Sequence, residues 1–373
     1  MLNIRIILLS IFIIFIFGCD PFAQSYDDVS VPKMYEADNV VDANYTGDQV
    51  KVVTWNIRFG AGRLEWIIDS CGENALAHDD SIKNNMQKIA DTLFAMDADI
   101  VLLQEVDIES KKSGFMDQMK FLLNSTNLNY GAYAPVMEVD FVFQDGLGRI
   151  NTGNAILSKY KLTEAERIKL RLRTDQSSLV KYGYARRNII KVKIPDLMQG
   201  NKDFYAVNIH ATAFATDDTK QQHINKYMET LIDIQNSGDY FVTGGDLNSV
   251  PPGSVIDFCE SDKCEGEVCD EDYENNGAYQ GSYFEHFDGE PDLLVPLYIA
   301  YNSAIDSLDA NLPIHFTHAP STSYKINNIK YDRKLDYLFT NMVWKDELGK
   351  THQKAWHLSD HTPVSGVLDF DDD

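Results

Sequence analysis

The sequence has few cysteines and few basic residues, and each shortage excludes a class of protein. Its five cysteines are too few for a disulfide-built miniprotein, and they lack the paired C-x2-C spacing of a structural zinc site. Only 33 basic residues stand against 57 acidic ones, which gives a formal charge of −24. This charge repels polyanions at long range, so it argues against broad, charge-driven binding of nucleic acid but allows a local basic site.

The composition is otherwise that of a globular protein. The chain has 373 residues, of which 44% are hydrophobic and 24% charged. This length suffices for one large core or two ordinary domains, and the composition excludes disorder as the main state. No internal repeat or low-complexity tract occurs in the sequence. The core must therefore come from packing.

The first 18 residues have the pattern of an export signal. Arg5 precedes an apolar run from Ile6 to Phe17, which is too short to span a membrane stably as a mature helix. The run ends at Gly18-Cys19 and resembles a bacterial lipoprotein box, whose cysteine is lipidated and becomes the mature N-terminus. We expect a signal peptide over residues 1–18 and an exported protein held to a membrane through Cys19, in the periplasm or at the cell surface. An uncleaved or non-lipidated signal is the alternative.

The next segment, residues 19–48, is predicted to be a lipidated N-terminus followed by a tether. It is polar, acidic and aperiodic, which is typical of a linker between a membrane and a domain. The folded domain is expected over residues 49–373.

From residue 50 onward, short β-rich runs alternate with helical patterns, which predicts layered sheets and helices. Ser81 is expected to cap one helix, whose apolar residues step by three and four, and a second helix is predicted over 220–234. After a β-rich run at 50–56, strands are predicted at 100–103, 153–157, 188–194, 204–209, 240–243, 335–339 and 362–368.

Acids, amides and imidazoles fall at the ends of these β-rich runs. Because strand ends at one rim of a sheet converge in space, we expect these side chains to line one pocket although they are far apart in sequence. They are Asn56, Glu105, His210, Asp246 with Asn248, Asp336, and Asp360 with His361.

The chemistry of this set is coherent. Carboxylate and amide oxygens from Asn56, Glu105 and Asp360 suit a hard cation such as Mg²⁺, or Mn²⁺ in its place. The absence of cysteine ligands and of clustered His-x-x-x-His ligands disfavours zinc. In-line attack of water on a phosphoester needs charge neutralisation, a positioned nucleophile and a stabilised leaving group. A metal, Asp246 and the two histidines would supply these.

Six motifs follow one another along the chain: Val53-Thr54-Trp55-Asn56, Leu102-Leu103-Gln104-Glu105-Val106, Gly153-Asn154-Ala155-Ile156-Leu157-Ser158, Gly245-Asp246-Leu247-Asn248, Leu335-Asp336-Tyr337 and Ser359-Asp360-His361-Thr362-Pro363-Val364. In this order they resemble the endonuclease/exonuclease/phosphatase superfamily. The resemblance implies an α/β fold, a four-layer sandwich of two packed, mostly antiparallel sheets flanked by helices. It also implies Mg²⁺-dependent hydrolysis of phosphoesters, as in deoxyribonucleases, apurinic-site nucleases, sphingomyelinases and inositol-phosphate phosphatases.

The resemblance also implies a role for each matching residue. Glu105 would be the chief metal ligand, with Asn56 and Asp360 completing or bordering the metal site. Asp246 would orient the attacking water, and Asn248 would hold that water or a phosphate oxygen. His361 would contact the scissile phosphate or act as a base, and Asp336 would fix its tautomer. His210 is assigned to catalysis on the same motif context.

Each residue also has a structural interpretation. An Asp or Asn after a strand is usually a turn or cap residue, and a lone histidine such as His210 is usually a hydrogen-bonded structural residue. Arg186 and Arg187 would touch substrate phosphate or form a solvated pair at a strand edge. The sequence gives no site role to His223, His315 and His318, which we interpret as structural or surface residues.

An acidic segment at about 257–292 departs from the compact pattern. It holds 13 acidic residues against one Lys, and it contains Cys259, Cys264 and Cys269. After export these thiols would form a disulfide with one another or with Cys71 and pin an inserted loop. The acidic side chains suggest a solvated loop, or, as the alternative, a Ca²⁺ site, for which the loop spacing is not evident.

Two functions are consistent with these residues. The first is an exported, membrane-anchored, Mg²⁺-dependent phosphoesterase, with a substrate that is small, lipid-linked or nucleic acid and with no protein partner implied. The second is a non-catalytic surface binding module on the same fold. A missing metal ligand would favour the second, and every motif acid is present.

Overall fold

The computed structural model describes residues 24–41, 49–67, 71–142, 144–177, 184–195, 197–198, 201–213, 215, 217–254, 292–320, 330–345 and 349–370. The strands are β1 (Val29–Ser30), β2 (Lys33–Glu36), β3 (Gln49–Asn56), β4 (Ile100–Asp107), β5 (Tyr130–Val142), β6 (Gly148–Ser158), β7 (Thr163–Lys169), β8 (Asn188–Lys193), β9 (Phe204–His210), β10 (Tyr240–Asp246), β11 (Asn302–Ser303), β12 (Asp336–Thr340), β13 (Val343–Trp344), β14 (Lys350–Thr351) and β15 (Val364–Asp369). The helices are α1 (Asp79–Met96), α2 (Gln118–Ser125), α3 (Thr219–Asn236) and α4 (Val295–Ala300).

These strands form two mixed sheets. The first has seven strands in the order β1-β7-β8-β9-β10-β12-β11, and the second has eight, in the order β13-β15-β3-β4-β6-β5-β2 with β14 beside β15. One parallel pair occurs in each sheet, β9 with β10 and β3 with β4, and the other pairs are antiparallel. The prediction of two mostly antiparallel sheets is confirmed.

The two sheets pack face to face and carry helices on their outer faces. Val52 and Leu102 of the second sheet share the inter-sheet core with Ile190 and Ala206 of the first. Alternate residues of the same strands point outward, where α1 and α2 cover the second sheet and α3 and α4 cover the first. Strands that are buried on both faces have nearly continuous apolar sequences. This arrangement is the four-layer α/β sandwich that the sequence predicts.

Most element boundaries lie close to the predicted ones, but the first helix begins earlier. The helix α1 starts at Asp79 with His78 as its N-cap, so Ser81 lies within the helix and does not cap it. Asp79 and Asp80 occupy the first turn, where carboxylates favour the helix dipole. The 13-residue strand β5 is absent from the sequence prediction because Pro135 interrupts its apolar pattern. The register shift after Pro135 accommodates that residue.

The tether prediction does not hold for residues 29–36. β1 pairs with β7 at one edge of the first sheet, and β2 pairs with β5 at one edge of the second. Edge strands gain backbone hydrogen bonds without needing an apolar repeat, which is why a polar and aperiodic segment can still be part of the sheets. This N-terminal segment therefore spans the two sheets.

Several predictions concern residues outside the described part of the chain. These are the signal peptide 1–18, Cys19, and the acidic segment 257–292 apart from Asp292. Cys71 takes part in a disulfide bond, whose other cysteine also lies outside the described residues. Among the helices that are described, none is long and apolar enough to span a membrane.

Candidate active site

Strand register brings the predicted site residues together at one rim of the two sheets. In the first sheet, Asp246 at the end of β10 is the register partner of His210 on β9 and of Asp336 on β12. In the second sheet, Asn56 ends β3 and Glu105 lies on the neighbouring strand β4. Asn56 Nδ2 donates to Glu105 Oε1 and to Asp246 Oδ2, each at 3.1 Å. This amide joins the ends of the two sheets.

The carboxylate of Asp246 is the centre of the site. Its Oδ2 lies 3.3 Å from His210 Nε2 and 3.7 Å from His361 Nε2. Its Oδ1 accepts a hydrogen bond from the backbone N–H of Asn248 at 3.0 Å. Burial raises the pKa of Asp246, and the nearby carboxylate of Asp336 adds to this rise, whereas His361 opposes it. A buried carboxylate with a raised pKa is suited to accept a proton.

The imidazole of His361 is held by a second carboxylate. Its Nδ1 lies 2.8 Å from Asp336 Oδ2, and both side chains are buried. Thr317 Oγ1 accepts from the backbone N–H of Asp336 at 3.1 Å, which fixes the start of β12. Burial alone would lower the pKa of His361, but Asp336, Asp246 and Asp360 outweigh it and raise that pKa to about 10. His361 is therefore a cation at neutral pH.

His210 is in the opposite protonation state. It is buried at the end of β9, and the adjacent Ala211 N–H donates to Asp246 O at 2.9 Å. Burial lowers the pKa of His210 well below its ordinary range, and the positive charges of Arg187 and His361 lower it further. Asp246 thus lies between a neutral imidazole and a protonated one.

Glu105 has a left-handed backbone conformation within its strand. Its φ is 56°, and the pairing of β4 with β6 shifts register between Leu103 and Val106. Bulges and left-handed residues often re-aim a side chain beside an active site, and a residue such as Glu is strained there. The half-buried Glu105 carboxylate reaches Asn56.

Asp360 is held by an arginine that the sequence motifs do not indicate. Arg58 Nε lies 3.2 Å from Asp360 Oδ2, and the Arg58 side chain is buried. Burial would raise the pKa of Asp360, but Arg58, His361 and further nearby cations hold it below its ordinary value. Arg58 follows the Asn56 motif by two residues, and its own φ is 45°. Its proximity in sequence to Asn56 is the only signal that could have pointed to it.

Asn248 is tied to the backbone around Asp246. Besides the contact of its N–H with Asp246 Oδ1, its Nδ2 donates to Ala211 O at 3.1 Å. The side chain thereby connects the ends of β9 and β10. The backbone N–H of Asn248 positions the Asp246 carboxylate. Its role in holding a water or a phosphate oxygen stays a prediction.

A layer of buried amides lies beneath the site and was not predicted. Asn208 Oδ1 accepts from Gln104 Nε2 at 2.7 Å, and Asn208 Nδ2 donates to Leu103 O and Ala155 O, each at 2.8 Å. Asn208 belongs to the first sheet and these partners belong to the second. The signal in the sequence is a polar residue between Val207 and Ile209 in a strand buried on both faces.

The remaining candidate residues have different outcomes. Arg187 precedes β8 and is half-buried; its Nε makes no hydrogen bond among the described residues, and its charge reaches His210. Arg186 donates to Tyr184 O. His223 is buried, accepts from Thr212 N at Nδ1, and has the structural role that we expected.

His318 differs from the interpretation as a structural or surface residue. Its ring meets that of His361 edge to face, with 4.9 Å between ring centroids. It therefore borders the site, whereas no contact of His315 with a site residue occurs within the described chain. The pairing depends on a backbone bridge between His318 and His361, which sequence motifs do not reveal.

The donor set at the Asn56 end fits a hard divalent cation. Glu105 and Asp360 offer carboxylate oxygens, and Asn56 offers an amide oxygen that also accepts from the backbone N–H of Arg58 at 3.0 Å. These are the ligand types that Mg²⁺ prefers. Asp336 Oδ1 is buried and has no hydrogen-bond partner in the described part of the chain. Four carboxylates, those of Glu105, Asp246, Asp336 and Asp360, thus meet in one rim, and a divalent cation would offset part of their charge.

Residues 53–361 match the sequence profile of the Endonuclease/Exonuclease/phosphatase family, which covers most of the chain and includes every site residue named above. Comparison of the sequence with curated proteins gives no match.

Solved structures with a similar fold come from several bacteria. An endonuclease/exonuclease/phosphatase from Beutenbergia cavernae has a TM-score of 0.51 and 16% identity, with 86% of this chain and 71% of that chain covered. A family protein from Leptotrichia buccalis has the same TM-score and identity, with coverage of 86% and 100%. One from Bacteroides vulgatus has a TM-score of 0.50 and 16% identity, with coverage of 86% and 98%. At this identity the likeness establishes the fold.

Proposed function

Since the chain belongs to the Endonuclease/Exonuclease/phosphatase family, whose members are generally hydrolases of phosphoesters, we propose that it hydrolyses a phosphoester with the aid of a divalent cation. Mg²⁺ is the proposed ion and Mn²⁺ the alternative, because the donors are oxygens of carboxylates and an amide.

The observation that carries this proposal is the placement of Asp246 between two imidazoles in opposite protonation states. His210 Nε2 and His361 Nε2 lie 3.3 Å and 3.7 Å from Asp246 Oδ2. Paired titratable groups whose pKa values are pushed apart are the usual arrangement for proton transfer at one centre. Shifted pKa values of this kind, in side chains that are in contact, cluster at active sites.

These residues account for the steps of hydrolysis. Asp246, with His210 beside it, orients a water and accepts its proton as the water oxygen bonds to phosphorus. The bond from phosphorus to the leaving oxygen breaks at the same time, and that oxygen departs with the electron pair and takes up a proton from solvent. The protonated His361, held by Asp336, faces the phosphoryl oxygens and stabilises their growing negative charge. Asn56 and Asn248 keep the Asp246 carboxylate in place through hydrogen bonds.

Glu105, Asn56 and Asp360 would hold the cation. When bound, it neutralises charge on the phosphoryl and leaving oxygens. Arg58 contributes by holding the Asp360 carboxylate in a fixed position, at 3.2 Å from its Nε.

The proposed substrate is a phosphodiester or phosphomonoester that is small, lipid-linked or part of a nucleic acid. A formal charge of −24 disfavours long polyanions, because they are repelled at a distance. We further propose that the protein is exported and anchored to a membrane through a lipid on Cys19, on the basis of the N-terminal sequence.

Hydrolysis of a substrate panel tests this function. The full chain, purified in detergent, is assayed on plasmid DNA, RNA, sphingomyelin, phosphatidylinositol, inositol phosphates and bis(p-nitrophenyl) phosphate, each with Mg²⁺, with Mn²⁺ and with EDTA. The full chain is needed because β1 and β2 belong to the two sheets. We expect cation-dependent turnover that EDTA abolishes. No hydrolysis of any substrate with either cation would favour the non-catalytic binding module.

A further inference from the structure

His318 is fixed beside His361 by backbone contacts. The two residues form an antiparallel bridge. The neighbouring hydrogen bonds run from Thr362 N to Thr317 O and from Ala319 N to Asp360 O, each at 2.9 Å. On its other side, His318 N donates to Arg333 O at 3.0 Å, and Asp332 N donates to His318 O at 3.1 Å. Two flanking segments thus hold the backbone that places this imidazole at the rim.

The orientation of the His318 ring leaves one nitrogen for a ligand. Nδ1 is buried, makes no hydrogen bond in the described part of the chain, and lies 3.9 Å from Asp332 Oδ1. Nε2 is therefore the nitrogen that can meet a bound molecule. Because Nδ1 makes no hydrogen bond that would fix the ring hydrogen there, Nε2 can carry that hydrogen and act as a donor. The side chain is 16% exposed, against 7% for His361, so it is the more accessible of the two imidazoles.

The spacing of the polar atoms fits a shared oxygen. His318, Asp360 and His361 each have one ligand atom within 4.8 Å of those of the other two. Within the described part of the chain, no hydrogen bond or ion pair joins His318 to Asp360. Two nitrogens that each donate to one oxygen at about 2.9 Å lie up to about 5 Å apart. Arg58, whose Nε is 3.2 Å from Asp360 Oδ2, offsets the charge of the carboxylate beside the two imidazoles. A phosphoryl oxygen between the two imidazoles is therefore beside a carboxylate whose charge Arg58 compensates.

His318 belongs to a different group of polar atoms from Asp246. The polar atoms of Asp246, Asp336 and His361 form one close group, and those of His318, Asp360 and His361 form another. His361 is the member that both groups share. A phosphoryl group over His361 would thus be close both to the water-orienting carboxylate and to His318.

We propose that His318 and His361 together bind one non-bridging oxygen of the substrate's phosphoryl group. This inference rests on the proposed function, because it takes the phosphoester to lie over His361. It makes His318 a catalytic residue that touches the substrate, with a role separate from those of Asp246 and His210.

The test uses His318→Phe, which keeps a ring that can pack edge to face on His361 and removes both nitrogens. His318→Gln restores one N–H donor and is the conservative variant. The matched control is His315→Phe, which changes a half-buried histidine three residues earlier. The substrates are thymidine 5′-(p-nitrophenyl phosphate) and the Rp and Sp isomers of its phosphorothioate, in which sulfur replaces one or the other non-bridging oxygen.

For His318→Phe we expect kcat/KM on the oxygen substrate to fall about 10- to 100-fold, as for the loss of one hydrogen bond to a charged group. His318→Gln should lose less, and His315→Phe should match the wild type. The ratio of kcat/KM between the two thio isomers should change in His318→Phe. In the wild type, the isomer whose sulfur faces the imidazole pair loses the hydrogen bond and is cleaved more slowly, whereas His318→Phe lacks the His318 donor and should discriminate less between the isomers. An unchanged isomer ratio, or wild-type activity in His318→Phe, would overturn the inference.

Binding of inorganic phosphate separates this inference from the proposed hydrolysis. Calorimetry on the same proteins should show Kd for phosphate raised about tenfold or more in His318→Phe and unchanged in His315→Phe. If the wild type cleaves no phosphoester but shows this pattern, the hydrolase proposal fails and the imidazole pair stands. Equal phosphate binding by the wild type and His318→Phe, or no binding by the wild type, would refute the pair whatever the activity.

Discussion

His361 Nδ1 lies 2.8 Å from Asp336 Oδ2, and the two side chains are buried at the rim where the sheets meet. The contact spans 25 residues of sequence and joins the start of β12 to the segment that leads into β15. Because Asp336 is the nearest of the three acids that raise the pKa of His361 to about 10, it keeps the imidazole charged and sets the direction in which Nε2 points.

Asp336→Asn should therefore slow turnover even though it changes little in size. We expect kcat/KM to fall about 10- to 100-fold, which is typical for the loss of a partner that orients a functional imidazole. His361→Ala should fall at least as far, and the double variant should be little worse than the worse single one, since the two residues act as one unit. The measurement is kcat/KM of the four proteins on bis(p-nitrophenyl) phosphate, with the exposed Asp233→Asn as control. Additive losses, with Asp336→Asn close to wild type, would mean that Asp336 is only a structural residue.

Glu105→Gln tests the cation site. The substitution preserves shape and removes the charge that attracts a hard cation, so we expect turnover to fall about a hundredfold or more. The midpoint of thermal unfolding should also lose its dependence on added MgCl2, which is a readout independent of activity. Glu109→Gln, an exposed neighbour with a similar left-handed backbone, is the control and should behave as wild type. Unchanged activity and an unchanged Mg²⁺ effect in Glu105→Gln would rule out this residue as the ligand.

The layered fold was predictable from the sequence because the strands that build it are buried on both faces. Runs such as 100–103 and 240–243 are apolar for that reason, and polar residues at their ends mark the rim. The edge strands β1 and β2 were not predictable, because backbone hydrogen bonds to β7 and β5 hold them and their side chains need no pattern. The strand β5 was not predictable for another reason. Pro135 interrupts its apolar pattern, and the strand accommodates this proline at a bulge.

The site was predictable where a motif carries the residue and hidden where tertiary contacts alone place it. Asp246 and His361 stand in motifs, whereas Arg58 and His318 join them only through an ion pair and a backbone bridge. The distance between His318 and His361 depends on how two loops pair, which no periodicity in either segment encodes. The same holds for Asn208, whose role is to clamp one sheet to the other.

Arg187→Gln should raise the pKa of His210. The positive charge of Arg187 disfavours protonation of that imidazole, so its removal makes protonation easier. Histidine titration by NMR, with Arg171→Gln as the control at a more exposed arginine, measures the effect directly. The acidic limb of the pH–rate profile should move to higher pH in Arg187→Gln alone. A His210 pKa that stays at its wild-type value would show that the guanidinium does not act on this imidazole.

Cys19→Ser should release the protein from membranes. Thioether formation needs the cysteine sulfur, so the variant would lose the lipid that we propose as the anchor. Fractionation of cells that express the wild type or Cys19→Ser decides the matter. A Cys19→Ser protein that remains in the membrane fraction at the wild-type level would contradict the anchor.

His223 offers a test of the fold that is independent of the active site. Its side chain is buried on α3, where Nδ1 accepts from Thr212 N at 3.2 Å and Nε2 contacts Arg171 O at 2.8 Å. Burial lowers its pKa to about 4, whereas in the unfolded chain a histidine titrates near about 6.5. Between these values the unfolded state binds more protons than the folded one, so acid favours unfolding.

The sign of the effect on stability follows from this difference. The contribution of His223 is fully present above about pH 6.5 and is lost as the pH falls toward 4, with an upper limit of about 3 kcal/mol. We expect His223→Gln to be less stable than the wild type at neutral pH, because buried hydrogen bonds are lost. Its free energy of unfolding should also depend less steeply on pH between 6.5 and 4, since glutamine does not titrate. Urea unfolding at several pH values measures both properties, with the exposed His78→Gln as the control that keeps the wild-type slope. Parallel curves for the wild type and His223→Gln would mean that His223 titrates alike in the folded and unfolded chain, and the buried neutral imidazole would then be excluded.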